Sequence, residues 1–140
     1  MTEFVVDANV AIKWVVPEIH SEAALGLRNV DYTLLVPDFF FPEFGNILWK
    51  RVRRGETTLE NAQEDLAALM GLGLEIHPSL PLMPQALEIA ARIEQAVYDC
   101  VYLALAVTRG CQMVTADQRF FNALQDDSLA VHLCWVEDLP

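Results

Sequence analysis

Cations are scarce in this sequence. Nine Lys and Arg residues stand against 20 Asp and Glu, for a formal net charge of −11. Taken alone, that balance argues against a nucleic-acid partner, which ordinarily meets a basic surface. The argument weakens if some of the acids hold a cation. It weakens further because four of the nine cations, Lys50, Arg51, Arg53 and Arg54, crowd into five positions. Cysteine is sparse too: Cys100, Cys111 and Cys134 form no CxxC and no metal-type spacing. An odd count with no readable secretory leader fits reduced thiols in a cytoplasm. His20, His77 and His132 lie far apart and read as ordinary surface or strand residues. Long apolar runs are absent. The longest, residues 101–107, is far short of the ~20 residues that cross a bilayer, so no membrane is expected. No internal repeat, low-complexity tract or linker marks a boundary, and residues 1–140 are expected to form a single domain.

Apolar residues, by contrast, make up 54% of the chain, and they are arranged in periodic stretches that imply a folded core. Short strands are expected at residues 3–6, 33–36, 74–77, 112–116 and 129–135. Helices are expected at 8–16, 21–29, 42–55, 59–70, 86–97, 99–110 and 120–124, with Pro17 a breaker and Gly55 and Gly110 as stops. The helix 99–110 is apolar almost throughout and is therefore expected to be central. Strands separated by helices imply right-handed crossovers and a mainly parallel sheet of about five strands. The expected fold class is α/β, a three-layer α/β/α sandwich. Ligands of such sheets sit at the carboxyl ends of the strands, where strand order reverses.

Four acids fall near that edge. "FVVDANV" ends an apolar run on Asp7, Asp117 follows the strand 112–116, Glu43 lies after the strand 33–36, and Asp99 begins "DCVYLALAVTRG". Singly, each suits the N-terminus of the helix that follows it. Jointly, four carboxylates on one edge would repel unless a hard cation neutralised them, and Mg²⁺ or Mn²⁺ prefers such oxygens.

The stretch Asp7-Ala8-Asn9, the pair Pro42-Glu43 with "LWKRVRRGE" behind it, "YDCVYLALA" around Asp99 and "VTADQRF" around Asp117 resemble the PIN-domain ribonucleases. The resemblance extends over essentially the whole chain and is nearest to the VapC toxins of bacterial toxin–antitoxin pairs. It implies a PIN-like α/β/α sandwich and endonucleolytic cleavage of RNA with Mg²⁺ (or Mn²⁺). It implies that Asp7, Glu43, Asp99 and Asp117 form the catalytic, metal-holding quartet, flanked by the polar Asn9 and Thr115. It also implies a homodimer and a small cognate antitoxin. Cys100 departs from the family, where Ala is commoner, and implies only a packing difference.

Several roles stay open on sequence grounds. Asn9 and Thr115 either support the quartet or make local turn hydrogen bonds. Arg119 meets either substrate phosphate or a surface acid. The cluster Lys50, Arg51, Arg53 and Arg54 is either a solvated helix end, an RNA contact or a contact for an acidic partner segment. Three adjacent Phe residues, 39 to 41, cannot all point inward easily, which leaves part of that stretch for a partner. Two other classes place Asp at the ends of parallel strands, receiver domains and Asp-nucleophile phosphatases. Both typically need a Lys late in the chain, whereas here the only lysines are Lys13 and Lys50. The remaining alternative is a PIN-like module that binds RNA or protein without cutting.

Overall fold

The computed structural model describes residues 2–140. Its five strands are β1 (Thr2–Val6), β2 (Tyr32–Pro37), β3 (Glu75–His77), β4 (Gln112–Thr115) and β5 (Leu133–Trp135). They form one parallel sheet in the order β3-β2-β1-β4-β5. The central strand β1 reads as an apolar run because both of its faces are covered. Val5, fully buried, pairs with Leu35 on one side and Met113 on the other.

The helices are α1 (Ala8–Ala11), α2 (Ser21–Leu25), α3 (Phe40–Arg53), α4 (Leu59–Met70), α5 (Met83–Ile93), α6 (Val97–Arg109) and α7 (Gln118–Ala123). Right-handed crossovers place α1 to α4 on one face of this strand order and α5 to α7 on the other. The three-layer α/β/α arrangement expected from the sequence is therefore present. Helix α6 packs across β1, β2 and β4. All seven residues from Cys100 to Ala106 are buried, which is why its sequence lacks a polar face. Among the described residues, no helix is long and apolar enough to cross a membrane.

Several boundaries differ from the expected ones, each for a local reason. The stretch 8–16 is one turn of α-helix followed by a 3-10 turn, Ile12–Trp14. Helix α3 begins at Phe40, since Pro42 sits in its first turn, where an amide hydrogen has no helical partner anyway. Helix α5 stops at Ile93 because Glu94 turns left-handed, with φ +56°. Val97 instead opens α6, so Asp99 lies within the first turn of that helix and does not cap it. The expected strand 129–135 is strand only from Leu133. Asp127 caps a 3-10 turn, Ser128–His132, by accepting the Leu129 N–H. Of the three adjacent Phe residues, Phe40 is fully buried, while Phe39 and Phe41 are half-buried.

The topology fixes where a site can form. The chain moves outward from β1 through β2 to β3, then returns to lay β4 and β5 on the other side of β1. The reversal falls between β1 and β4, and the crevice beyond their carboxyl ends is where such a sheet places ligands.

Candidate active site

Asp7 immediately follows β1. Its backbone is extended, and its Oδ1 accepts the Val10 N–H at 2.8 Å, capping α1. The side chain is only 4% exposed. Asp117 stands two residues beyond β4 and caps α7 in the same way. Its Oδ1 accepts the N–H groups of Arg119 and Phe120, at 3.0 and 3.3 Å. In both residues the capping bonds engage Oδ1, leaving Oδ2 without a partner among the described residues. Capping and membership of an acid cluster are thus compatible at these two positions.

The other two acids are not caps. Glu43 lies in the first turn of α3, half-buried, and its Oε1 accepts the Tyr102 hydroxyl hydrogen at 2.9 Å. Asp99 lies in the first turn of α6, whose cap residue is Ala96. It is half-buried, and its carboxylate accepts no hydrogen bond among the described residues.

These four carboxylates act on one another. Burial pushes the Asp7 carboxyl up to about 7. The Val10 N–H opposes that shift, and the charges of Asp99, Glu43 and Asp117 add to it. Glu43 is raised by burial, with the Tyr102 hydroxyl pulling the other way and Asp99 reinforcing the rise. Asp99 is raised by burial and then by Asp117. No Lys, Arg or His offsets this charge: none of the four acids is in an ion pair among the described residues. Two carboxylates ~5 Å apart repel by about 3 kcal/mol at an effective dielectric near 20, so a concentration of unpaired acid at a sheet edge is costly.

The donor set fits a hard divalent ion. All four side chains offer carboxylate oxygen, and nothing soft stands among them. No three Asp, Glu, His or Cys side chains among the described residues are grouped closely enough to hold an ion unaided. The fit is therefore to an ion such as Mg²⁺, which keeps several waters and takes only one or two carboxylates directly.

The supporting residues fall as follows. Thr115 is fully buried, and its Oγ1 accepts the Asp117 N–H at 3.1 Å. Its hydroxyl thus makes a local turn bond, and that bond sets the turn from which the Asp117 side chain projects. Asn9 is exposed and lines a groove of about 500 Å³ that also touches Asp117. Arg119 is exposed at the start of α7, with its side chain in no ion pair among the described residues. A larger cavity, about 660 Å³ between His20 and Glu137, is lined by none of the four acids.

Two residues of this region escaped the sequence reading. Tyr102, 1% exposed, holds Glu43. The available signal was a hydroxyl inside an otherwise apolar helix, since a buried tyrosine needs a hydrogen-bond partner. Lys13 is buried, with its amine on Glu18 Oε1 and the Ile19 carbonyl, both at 2.9 Å. Its partners lie across Pro17 in a loop, where no periodicity flags them.

A parallel sheet with carboxylates gathered at its reversal point defines the class. Residues 4–124 match the PIN domain family, and the chain belongs to it. Within that family it is similar to Ribonuclease VapC3 of Pyrobaculum aerophilum. The two are 31% identical over 119 residues, 84% of this chain and 91% of that protein. Similar solved structures show the same fold. PAE2754 of Pyrobaculum aerophilum has a TM-score of 0.71 at 23% identity, over 97% of this chain and 85% of that one. VapBC2 of Rickettsia felis, bound to a fragment of promoter DNA, has a TM-score of 0.67 at 13% identity, over 96% and 98%. VapC20 of Mycobacterium tuberculosis, a toxin that cleaves the sarcin–ricin loop, has a TM-score of 0.65 at 16% identity, over 86% and 94%.

Proposed function

We propose that this chain is a metal-dependent endoribonuclease that hydrolyses RNA phosphodiester bonds, and that it is the toxin of a type II toxin–antitoxin pair. The observation that carries the proposal is the gathering of Asp7, Glu43, Asp99 and Asp117 at the reversal point of the sheet. Burial and the charges of neighbouring acids raise the proton affinity of Asp7, Glu43 and Asp99, and none of the four acids is in an ion pair among the described residues. Membership of the PIN domain family and similarity to a VapC ribonuclease support it. All four acids would hold Mg²⁺ or Mn²⁺, one or two of them directly and the others through its waters. When bound, such an ion lowers the pKa of a coordinated water and neutralises charge developing on the phosphoryl group.

The chain's own contribution is to hold the carboxylates in place. The Val10 N–H fixes Asp7, the Tyr102 hydroxyl fixes Glu43, and two α7 amides fix Asp117. Three of the four are thus oriented by hydrogen bonds before substrate arrives, which limits reorganisation during the reaction. Asn9, exposed beside Asp117, orients water or the RNA strand. Thr115 holds the turn beneath Asp117, and Arg119 meets a phosphate oxygen.

The same proposal includes a homodimer, a small cognate antitoxin and a cytoplasmic setting, with residues 1–140 acting as one nuclease domain. Toxin–antitoxin assemblies among the structures of similar fold support the partner. Incubating purified protein with total bacterial RNA, in Mg²⁺ and in excess EDTA, tests the chemistry. Cleavage in Mg²⁺ and its loss in EDTA is the expected result. Undiminished cleavage in EDTA, from a preparation free of contaminating nuclease, contradicts the metal role.

A further inference from the structure

Helix α3 carries more than Glu43 toward the site. Ile47, Lys50, Arg51 and Arg54 recur at the i, i+3, i+4, i+7 spacing of one helical face, and Glu43 stands one turn before Ile47 on that face. At 1.5 Å per residue, Lys50 and Arg54 lie ~10 and ~16 Å along the axis from Glu43. This face forms one wall of the 500 Å³ groove that reaches Asp117, and Lys13 lines it as well.

The four cations of the groove are not equivalent. Lys13 is tied to Glu18. Arg51 is tied to Glu56 at 3.2 Å, because Gly55, at φ +74°, turns the chain back and brings the Glu56 N–H onto the Arg51 carbonyl at 2.9 Å. Lys50 and Arg54 are exposed and have no ion-pair partner among the described residues. That is notable in a chain with 20 acids for nine bases. Complementing the helix dipole accounts for cations in the last turn of α3. It does not account for two of them standing unpaired along a groove that reaches Asp117.

We propose that this groove binds the RNA phosphates adjacent to the scissile one, with Lys50 and Arg54 as the direct contacts. The inference rests on the nuclease proposal. An acidic protein repels a polyanion over most of its surface, so attraction must be supplied locally. The groove supplies it on the same helix face that presents Glu43. An acidic protein segment would satisfy the same charges. RNA is favoured because the groove reaches Asp117 and lies on the helix face that carries Glu43, so a strand whose scissile group lies at the acids passes along it.

The test is the salt dependence of binding of a short fluorescein-labelled single-stranded RNA, read by anisotropy over a range of KCl concentrations, with Ca²⁺ present in place of Mg²⁺. Each phosphate contact to a single strand contributes about 0.7 to the slope of log K against log salt. Lys50→Gln and Arg54→Gln should each lower the slope by about that amount, and the double variant by twice as much. Arg28→Gln, an exposed cation outside the groove, should leave it unchanged. Wild-type slopes in the groove variants overturn the proposal. So does a labelled oligoglutamate peptide that binds the wild type more tightly than RNA does and is lost in the same variants. Cleavage is scored separately on wild-type protein with Mg²⁺. Lowered slopes without cleavage fail the nuclease proposal and leave the groove assignment standing.

Discussion

Asp7 caps α1 with one oxygen while carrying a charge that its surroundings resist. Its pKa rises from the ordinary 3.8 to about 7 on folding. The folded chain therefore binds this proton more tightly than the unfolded chain does. Stability from this group is fully present below about pH 4 and is lost as pH rises toward 7. Asn caps about as well as Asp and cannot ionise. Thermal melting in EDTA should find Asp7→Asn close to wild type near pH 4, increasingly more stable as pH rises toward 7, and ahead by a constant margin above that. A constant difference from about pH 4 to 7 would show that Asp7 carries no such penalty. Tyr102 gives a second residue-scale prediction. Burial, then the nearby Glu43 and Asp7 charges, hold its phenol well above the usual range, so it remains a donor to Glu43. Tyr102→Phe keeps the ring against Phe39 and removes one hydrogen bond, a loss of about 1 kcal/mol. RNA cleavage should fall ~10–100-fold, the usual cost of losing a group that orients a metal-holding side chain. Full activity would show that Glu43 is held well enough without it.

At the level of elements, period and punctuation carried most of the information. Helix α4 follows its expected bounds of 59–70 because Thr58 caps it and its apolar residues keep 3.6 spacing. Helix α6 ends where Gly110 takes φ +66°, as a terminal glycine should. An added Cβ at Gly110 meets nothing within 4 Å, so the cost of Gly110→Ala is conformational, about 1–2 kcal/mol. Melting should report that loss while cleavage by the folded protein is unchanged. A loss of cleavage instead would tie the end of α6 to the site. What could not be read were features set by single contacts between distant segments. The 3-10 turn before β5 starts at Asp127, whose carboxylate is held by Arg92, 35 positions away. The hold on Glu43 depends on a side chain 59 positions away. Neither leaves a periodic trace.

Over the whole molecule, α/β alternation was enough to expect a parallel sheet, and with it an edge where acids at strand ends meet. The strand order that puts β4 beside β1 was not legible, because it depends on which crossover turns back. Net charge was the least informative quantity. The value of −11 averages over a surface on which unpaired acids gather at one place and unpaired cations at the next. The central claim is that the quartet is a metal-holding catalytic centre and not a set of helix caps. Asp99 separates the two, since its carboxylate caps nothing and accepts no hydrogen bond among the described residues. The decisive measurement is RNA cleavage by Asp99→Asn in saturating Mg²⁺, at the same folded concentration as wild type. The account predicts a loss of more than ~100-fold, beyond what removal of a supporting partner costs. Cleavage at the wild-type rate would contradict it.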